Sequence, residues 1–264
     1  MRLCKGLFAL AVCGTLAACA GTEVAGTGNT ATYGPPAVQS AEATIAEHRL
    51  RLRPPPDYCA LDRAQLQDAL VLHLLDKTVE GAAQILSIWR DCAALAASRR
   101  GVRAFAKPAV VVAAALEDGR PLRLPMSRQM LLDLLASTYS ELSDNDALNA
   151  QIDEEVRRRF DDTIGRFARD SGVRMEMGET TNLGLKARDA NAAYLAFISR
   201  ARSDDAQIVL GNIVAVTQVN GLLLQVAVFA DLEDESTIDR LLAEAQAILA
   251  RLVAENDRAF GTEV

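Results

Sequence analysis

The stretch IVLGNIVAVTQVNGLLLQVAVFA, residues 208–230, decides the fold. At its centre Asn220-Gly221 separates two runs rich in valine, isoleucine and leucine, and both central positions of a type I′ hairpin turn need the positive φ that Asn and Gly accept. A two-residue turn pairs Val219 with Leu222. That register puts Ile213, Ala215, Thr217 and Val219 on one face with Leu222, Leu224, Val226 and Val228. The other face carries Asn212, Val214, Val216 and Gln218 with Leu223, Gln225, Ala227 and Phe229. One face is almost wholly apolar and the other mixed, which predicts a hairpin covered at least in part on both sides. Downstream, Ser236 and Asp239 form a capping-box pattern opening a helix to about Asn256. Its Ile238, Leu241, Ala245, Ile248, Leu249 and Leu252 share one stripe, expected against the apolar face of the hairpin. The acids Asp231, Glu233, Asp234 and Glu235 lead into the positive end of that helix, where negative charge is stabilising.

Working outward, Pro108 to Leu116 contains three consecutive valines and reads as a buried strand, with Glu117-Asp118-Gly119 turning the chain into Leu122-Arg123-Leu124. Ser127 caps a helix ending near Leu142. Asp62 to Ser98 shows apolar residues at spacings of three and four, with Leu66, Leu70 and Leu74 and then Ile85, Trp89 and Ala93. This predicts a helical hairpin broken near Lys77-Thr78 or Gly81. A helix is expected from the Asp144-Asn145-Asp146 region to about Asp170, a short strand over Val173–Met177, a polar turn from Gly178 to Gly184, and a helix from Ala187 to Arg202. The fold expected is therefore α+β: long amphipathic helices packed on a small, mostly antiparallel sheet, with helix exceeding strand by about two to one.

The N-terminus has a different character. Arg2 and Lys5 precede the apolar run Leu7-Phe8-Ala9-Leu10-Ala11-Val12, too short to span a bilayer, and small residues then lead to Leu16-Ala17-Ala18-Cys19. This order resembles a bacterial lipoprotein signal peptide with its lipobox. The resemblance implies diacylglyceryl transfer to the Cys19 thiol, cleavage just before it, acylation of the new amino terminus and a membrane partner reached through that lipid. Ala20, where an aspartate would influence sorting, leans toward the outer membrane by the same resemblance. Of the five cysteines, Cys4 and Cys13 would leave with the signal peptide and Cys19 would carry lipid. An even pair, Cys59 and Cys92, remains; in an oxidising envelope compartment it reads as one disulfide, the alternative being two unpaired structural thiols. The organisation expected is a signal peptide over 1–18, a flexible Gly/Thr/Ala/Pro-rich tether over 19–57, a helical hairpin subdomain over 58–105 and an α+β domain over 106–264. Within the tether, His48 to Arg53 alternates polar and apolar like a short edge strand, its arginines facing either solvent or anionic lipid head groups.

Composition excludes several functions. Without Arg2 and Lys5 the chain has 26 basic against 35 acidic side chains, a net of −9, so it lacks the basic field that nucleic-acid phosphates require. Two histidines, His48 and His73, with one pair of cysteines do not make up a tetrahedral zinc set, and no cofactor motif is present. Asp144, Asp146 and Glu155 fall at positions 1, 3 and 12 of a calcium loop, but Leu148 and Asn149 occupy positions 5 and 6, where a ligand and a glycine are needed. No Gly-x-Ser-x-Gly or His-Glu-x-x-His occurs, so an enzyme would have to work with carboxylates and hydroxyls. The function expected is that of a lipid-anchored periplasmic envelope protein binding another protein as a structural or assembly accessory. A small-ligand or lipid-binding module and a carboxylate-dependent hydrolase are the alternatives. A protein partner would need exposed apolar surface, a ligand a closed pocket, and a hydrolase converging carboxylates with a perturbed pKa.

Overall fold

The computed structural model describes residues 41–45, 47–100, 108–142, 175–203 and 206–259, together with the isolated helical positions 154 and 158. Ten strands and four helices lie among them: β1 (Ala41–Ile45), β2 (His48–Leu52), β3 (Tyr58–Ala60), α1 (Leu66–Thr78), β4 (Ala83–Asp91), α2 (Cys92–Ser98), β5 (Ala109–Glu117), β6 (Arg120–Pro121), α3 (Arg128–Leu142), β7 (Met175–Arg188), β8 (Ala193–Ser203), β9 (Ala206–Val219), β10 (Leu222–Asp231) and α4 (Ser236–Ala259). Seven strands pair in the order β3-β4-β5-β10-β9-β8-β7, β6 pairs with β5, and β1 and β2 form a separate hairpin. Every pairing is antiparallel.

The central hairpin forms as its residues dictate. Val219 faces Leu222, and Asn220 and Gly221 take φ of 51° and 76°. Asp118 and Gly119, at 52° and 75°, make a second two-residue turn between β5 and β6. The apolar face of β9 and β10, with Val110, Val112 and Ala114 of β5, packs on Ile238, Leu241, Ala245, Ile248, Leu249 and Leu252 of α4. The opposite face, carrying Leu210, Val214, Val216, Leu223, Ala227 and Phe229, is covered by α1 through Leu72 and Leu75 and by α3 through Leu131, Leu132, Leu135 and Tyr139. Helix α4 is brought unusually close at Gly211, where a Cβ would stand 2.9 Å from Ile238 Cδ1 and 3.3 Å from Leu241 Cδ1. The bare backbone there is what admits the helix.

Strand outweighs helix, at 46% against 33% of the described residues, so the expected helical excess is wrong. Two segments account for it. The second half of the supposed helical hairpin is β4, whose burial is continuous from Ser87 to Asp91 because the sheet is covered on both faces. The Ala187–Arg202 segment falls instead in β7 and β8, where Ala193 to Phe197 are all buried. A strand roofed on both sides loses the period of two and becomes indistinguishable by pattern from a buried helix. The glycines expected to mark a polar turn over 178–184 lie within β7: the register against β8 shifts three times, and Gly184, with φ 76°, takes its N–H to Asn182 Oδ1 at 2.9 Å. These are bulges on an edge strand. β4 also pairs with β5, so among the described residues the segment expected as a helical hairpin shares its sheet with the following domain and contains the strands β3 and β4.

Two features fix the N-terminal part to this frame. Residues 41–52, within the expected tether, form the β1–β2 hairpin, with Ile45, Leu50 and Leu52 buried in the α4 layer. Asn256 of α4, fully buried, accepts the Arg51 N–H through Oδ1 at 2.9 Å and donates Nδ2 to the Arg51 carbonyl at 3.0 Å. Cys59 and Cys92 form the expected disulfide, with Cα atoms 4.9 Å apart. The bridge is produced by strand pairing, Tyr58 opposite Asp91 and Cys59 opposite Arg90. Beside it, buried Asp68 is gripped by Arg99, whose Nε lies 3.3 Å from Oδ1, and Asp91 caps α2 by accepting the Ala94 N–H at 2.9 Å.

Two stability measurements follow. Replacing both cysteines by serine removes a cross-link closing a 33-residue separation. Denaturant unfolding should show a loss of about 3 to 4 kcal/mol on the chain-entropy model. Asn256→Ala leaves the Arg51 N–H and carbonyl without their side-chain partner and should cost about 2 kcal/mol, with amide exchange accelerating first in β2.

Candidate functional site

Helix α4 lies across the sheet with a groove along each flank. The first is bounded on one side by Pro55, Pro56 and Tyr58, with Pro108 at the entry to β5, and on the other by Glu244, Ala247, Ile248 and Arg251. The triproline Pro54–Pro56 stiffens the chain between β2 and β3, and the Tyr58 N–H returns to the Pro55 carbonyl at 3.1 Å. Asp57, at φ 66°, completes the bend and accepts the Cys92 N–H at 2.9 Å. The disulfide at Cys59, two residues further on, holds the wall in place. Glu244 and Arg251 are seven residues apart on α4, so they project from one side of the helix about 10 Å apart along its axis. The cavity volume is about 430 Å³, and the groove is open to solvent.

Charge is distributed unevenly along it. Burial, and after it the Glu244 carboxylate that Tyr58 faces and the nearby Asp91, raise the Tyr58 pKa beyond the ordinary tyrosine range. Glu244 therefore makes one end of the groove negative. Arg251 at the other end is exposed, and no ion pair joins it among the described residues. The walls between are proline, alanine and isoleucine. Such an arrangement offers apolar contact flanked by two opposite charges, and burial with the Glu244 carboxylate keeps Tyr58 a neutral hydroxyl at physiological pH.

The second groove, of about 470 Å³, lies where α4 begins, between Leu183, Lys186 and Ile198 of β7 and β8 and Leu232, Ile238 and Asp239. Its acids are engaged in starting the helix. Asp234 Oδ1 accepts the Ser236 hydroxyl at 2.7 Å, and Glu233 meets Arg240 at 3.1 Å. The Ser236 hydrogen bond, aided by backbone N–H groups of Ser236 and Thr237 and by Arg240, lowers the Asp234 pKa. The capping group is thus Asp234, two residues ahead of the Ser236 expected from the capping-box pattern.

The residues singled out from sequence are dispersed. Cys59 and Cys92 meet; Cys19 and the Asp144, Asp146 and Glu155 set lie outside the described residues, as does most of the helix expected to reach Asp170. His73 is on the exposed face of α1, and His48 in β2 has Nε2 3.9 Å from Glu47. Arg51 and Arg53 of the alternating stretch face Glu42 at 3.7 Å and Glu255 at 3.9 Å, so this face is a mixture of charges. Tyr58, Glu244 and Arg251 were not singled out from sequence. The spacing of Glu244 and Arg251 is a usable signal, but nothing local relates either to Tyr58.

Exposed apolar side chains form two pairs at helical spacing: Leu66 (86% exposed) with Leu70 on α1, and Met130 (60%) with Leu134 on α3. Among the described residues no group of three or more His, Cys, Asp or Glu is placed to hold a metal, and no helix is long and apolar enough to cross a membrane. Comparison with protein-family models and with curated proteins finds no match to the chain.

The tyrosines give a direct test of the groove's electrostatics. Tyr194 is also raised, by burial and by donating to Asp189 Oδ2 at 2.8 Å. A phenol whose folded pKa lies above its unfolded value contributes stability that is intact below about pH 10 and falls as pH rises further. Spectrophotometric titration should show Tyr58 and Tyr194 among the tyrosines that ionise only with alkaline unfolding, and Tyr58→Phe and Tyr194→Phe should each lower that number by one.

Proposed function

We propose that this protein is a lipid-anchored envelope protein of a Gram-negative cell, held at a membrane facing the periplasm by lipid on Cys19, the outer membrane favoured, and that it acts by binding another envelope protein as a structural or assembly accessory. The observation that carries the reading is the pairing of the Leu16-Ala17-Ala18-Cys19 signal with the Cys59–Cys92 disulfide. A disulfide in a folded body of this size belongs to an oxidising compartment, which is where a lipobox sends its chain. Each feature supports the compartment without reference to the other.

Binding is favoured over catalysis by what surrounds α4 and by what α1 and α3 expose. Among the described residues the two grooves beside α4 are open troughs, and the Leu66, Leu70, Met130 and Leu134 side chains face solvent, as a protein partner requires. Among the described carboxylates, the one with a resolved shift, Asp234, is lowered, the opposite of what a general acid requires.

Fractionation of cells producing the Cys19→Ser protein is the test. The native chain should sediment with membranes and carry fatty acyl mass at its first residue, whereas the variant should move to the soluble fraction. A variant that stays with the membranes, or a native chain that begins at methionine, defeats the reading.

A further inference from the structure

We propose that the trough between Tyr58 and α4 is the docking site for a partner segment in polyproline II conformation carrying a basic residue and, three positions away, an acidic one. The inference rests on the reading of the chain as a protein-binding accessory and names the surface used. The trough offers charge complementarity over a fixed length. Glu244 and Arg251 stand about 10 Å apart along one side of α4, with Ala247 and Ile248 between them. A polyproline II strand rises about 3.1 Å per residue with three residues per turn, so side chains at i and i+3 project from the same side about 9 Å apart. In a β-strand the positions on one side come at about 7 and 13 Å, which overlap this spacing poorly.

The rest of the trough suits the same ligand. Pro55, Pro56 and Pro108 with Tyr58 give rigid apolar walls, and the disulfide and strand pairing hold them before anything binds, so little ordering is required on the protein side. The partner's basic group meets Glu244, at the end of the trough that Glu244 and Asp91 make negative toward Tyr58, and its acidic group meets Arg251.

The test uses the full-length chain with Cys19→Ser, so that binding is measured apart from anchoring. The probe is a capped hexapeptide of sequence Pro-Lys-Pro-Pro-Glu-Pro, together with its reversed-order form because the direction of the strand is free. At least one should bind saturably at about 1 mM or below, with amide shifts at Tyr58, Glu244 and Ala247. Arg251→Glu, at an exposed position, should weaken that binding tenfold or more and should bind in its place the probe in which lysine replaces glutamate. A probe with the charges two positions apart should bind several-fold less well. Absence of saturable binding, indifference to spacing or indifference to Arg251→Glu overturns the proposal. Fractionation of the anchored and unanchored chains is unaffected by any of these outcomes, so the two readings fail separately.

Discussion

An antiparallel sheet with apolar side chains on both faces has to be roofed twice, and the placement of α4 is the point on which that requirement turns. On its side the sheet offers β-branched and leucine side chains from β5, β9 and β10, and the helix returns an unbroken stripe from Ile238 to Val253. The approach is set at Gly211, where the absent side chain leaves room for the ends of Ile238, Leu241 and Leu232. With α4 seated there, the β1–β2 hairpin finds its own apolar edge, the Tyr58 wall gains an opposite bank, and both grooves come into existence. The opposite roof is assembled from shorter helices and depends less on any one residue.

Polar groups inside this frame are handled in two ways. Near the disulfide they are paired: Asp68 with Arg99, Asp91 with the start of α2, and Arg90 beside both carboxylates, whose attraction opposes the lowering of its pKa by burial. On the α1 and α3 side of the sheet, Gln225 is fully buried with neither amide atom hydrogen-bonded, and Asn212 uses its Nδ2 toward Ser199 and Leu210 but not its Oδ1. Burying an unpaired amide costs on the order of 1 to 3 kcal/mol. The two residues lie at the positions that made one face of the hairpin look mixed in the sequence.

What could be read from the chain alone followed the strength of local signals. Asn220-Gly221, the valines of β5, the Ser127 cap and the stripe of α4 are each decided within a few residues, and each came out as the residues imply. The errors in β4, β7 and β8 share a cause that is not local: burial on both faces, which removes the alternation that identifies a strand, and bulges that place glycine inside one. The disulfide was legible from the cysteine count and the compartment that the lipobox resemblance implies, while the geometry that makes it, β3 lying against β4, was not. The trough beside Tyr58 was illegible because its two banks come from opposite ends of the chain.

The order in which residues 41–60 meet the body has a mechanical meaning. Load applied from the N-terminal side reaches β1 and β2 first, which resist through their own pairing, their leucines and the Asn256 amide, and which can be peeled away one bond at a time. The next firm point is Cys59, joined covalently to the start of α2. Pulling therefore releases the hairpin and straightens the prolines first, and then meets a sulfur bond that ties the outermost strand of the sheet to the start of α2.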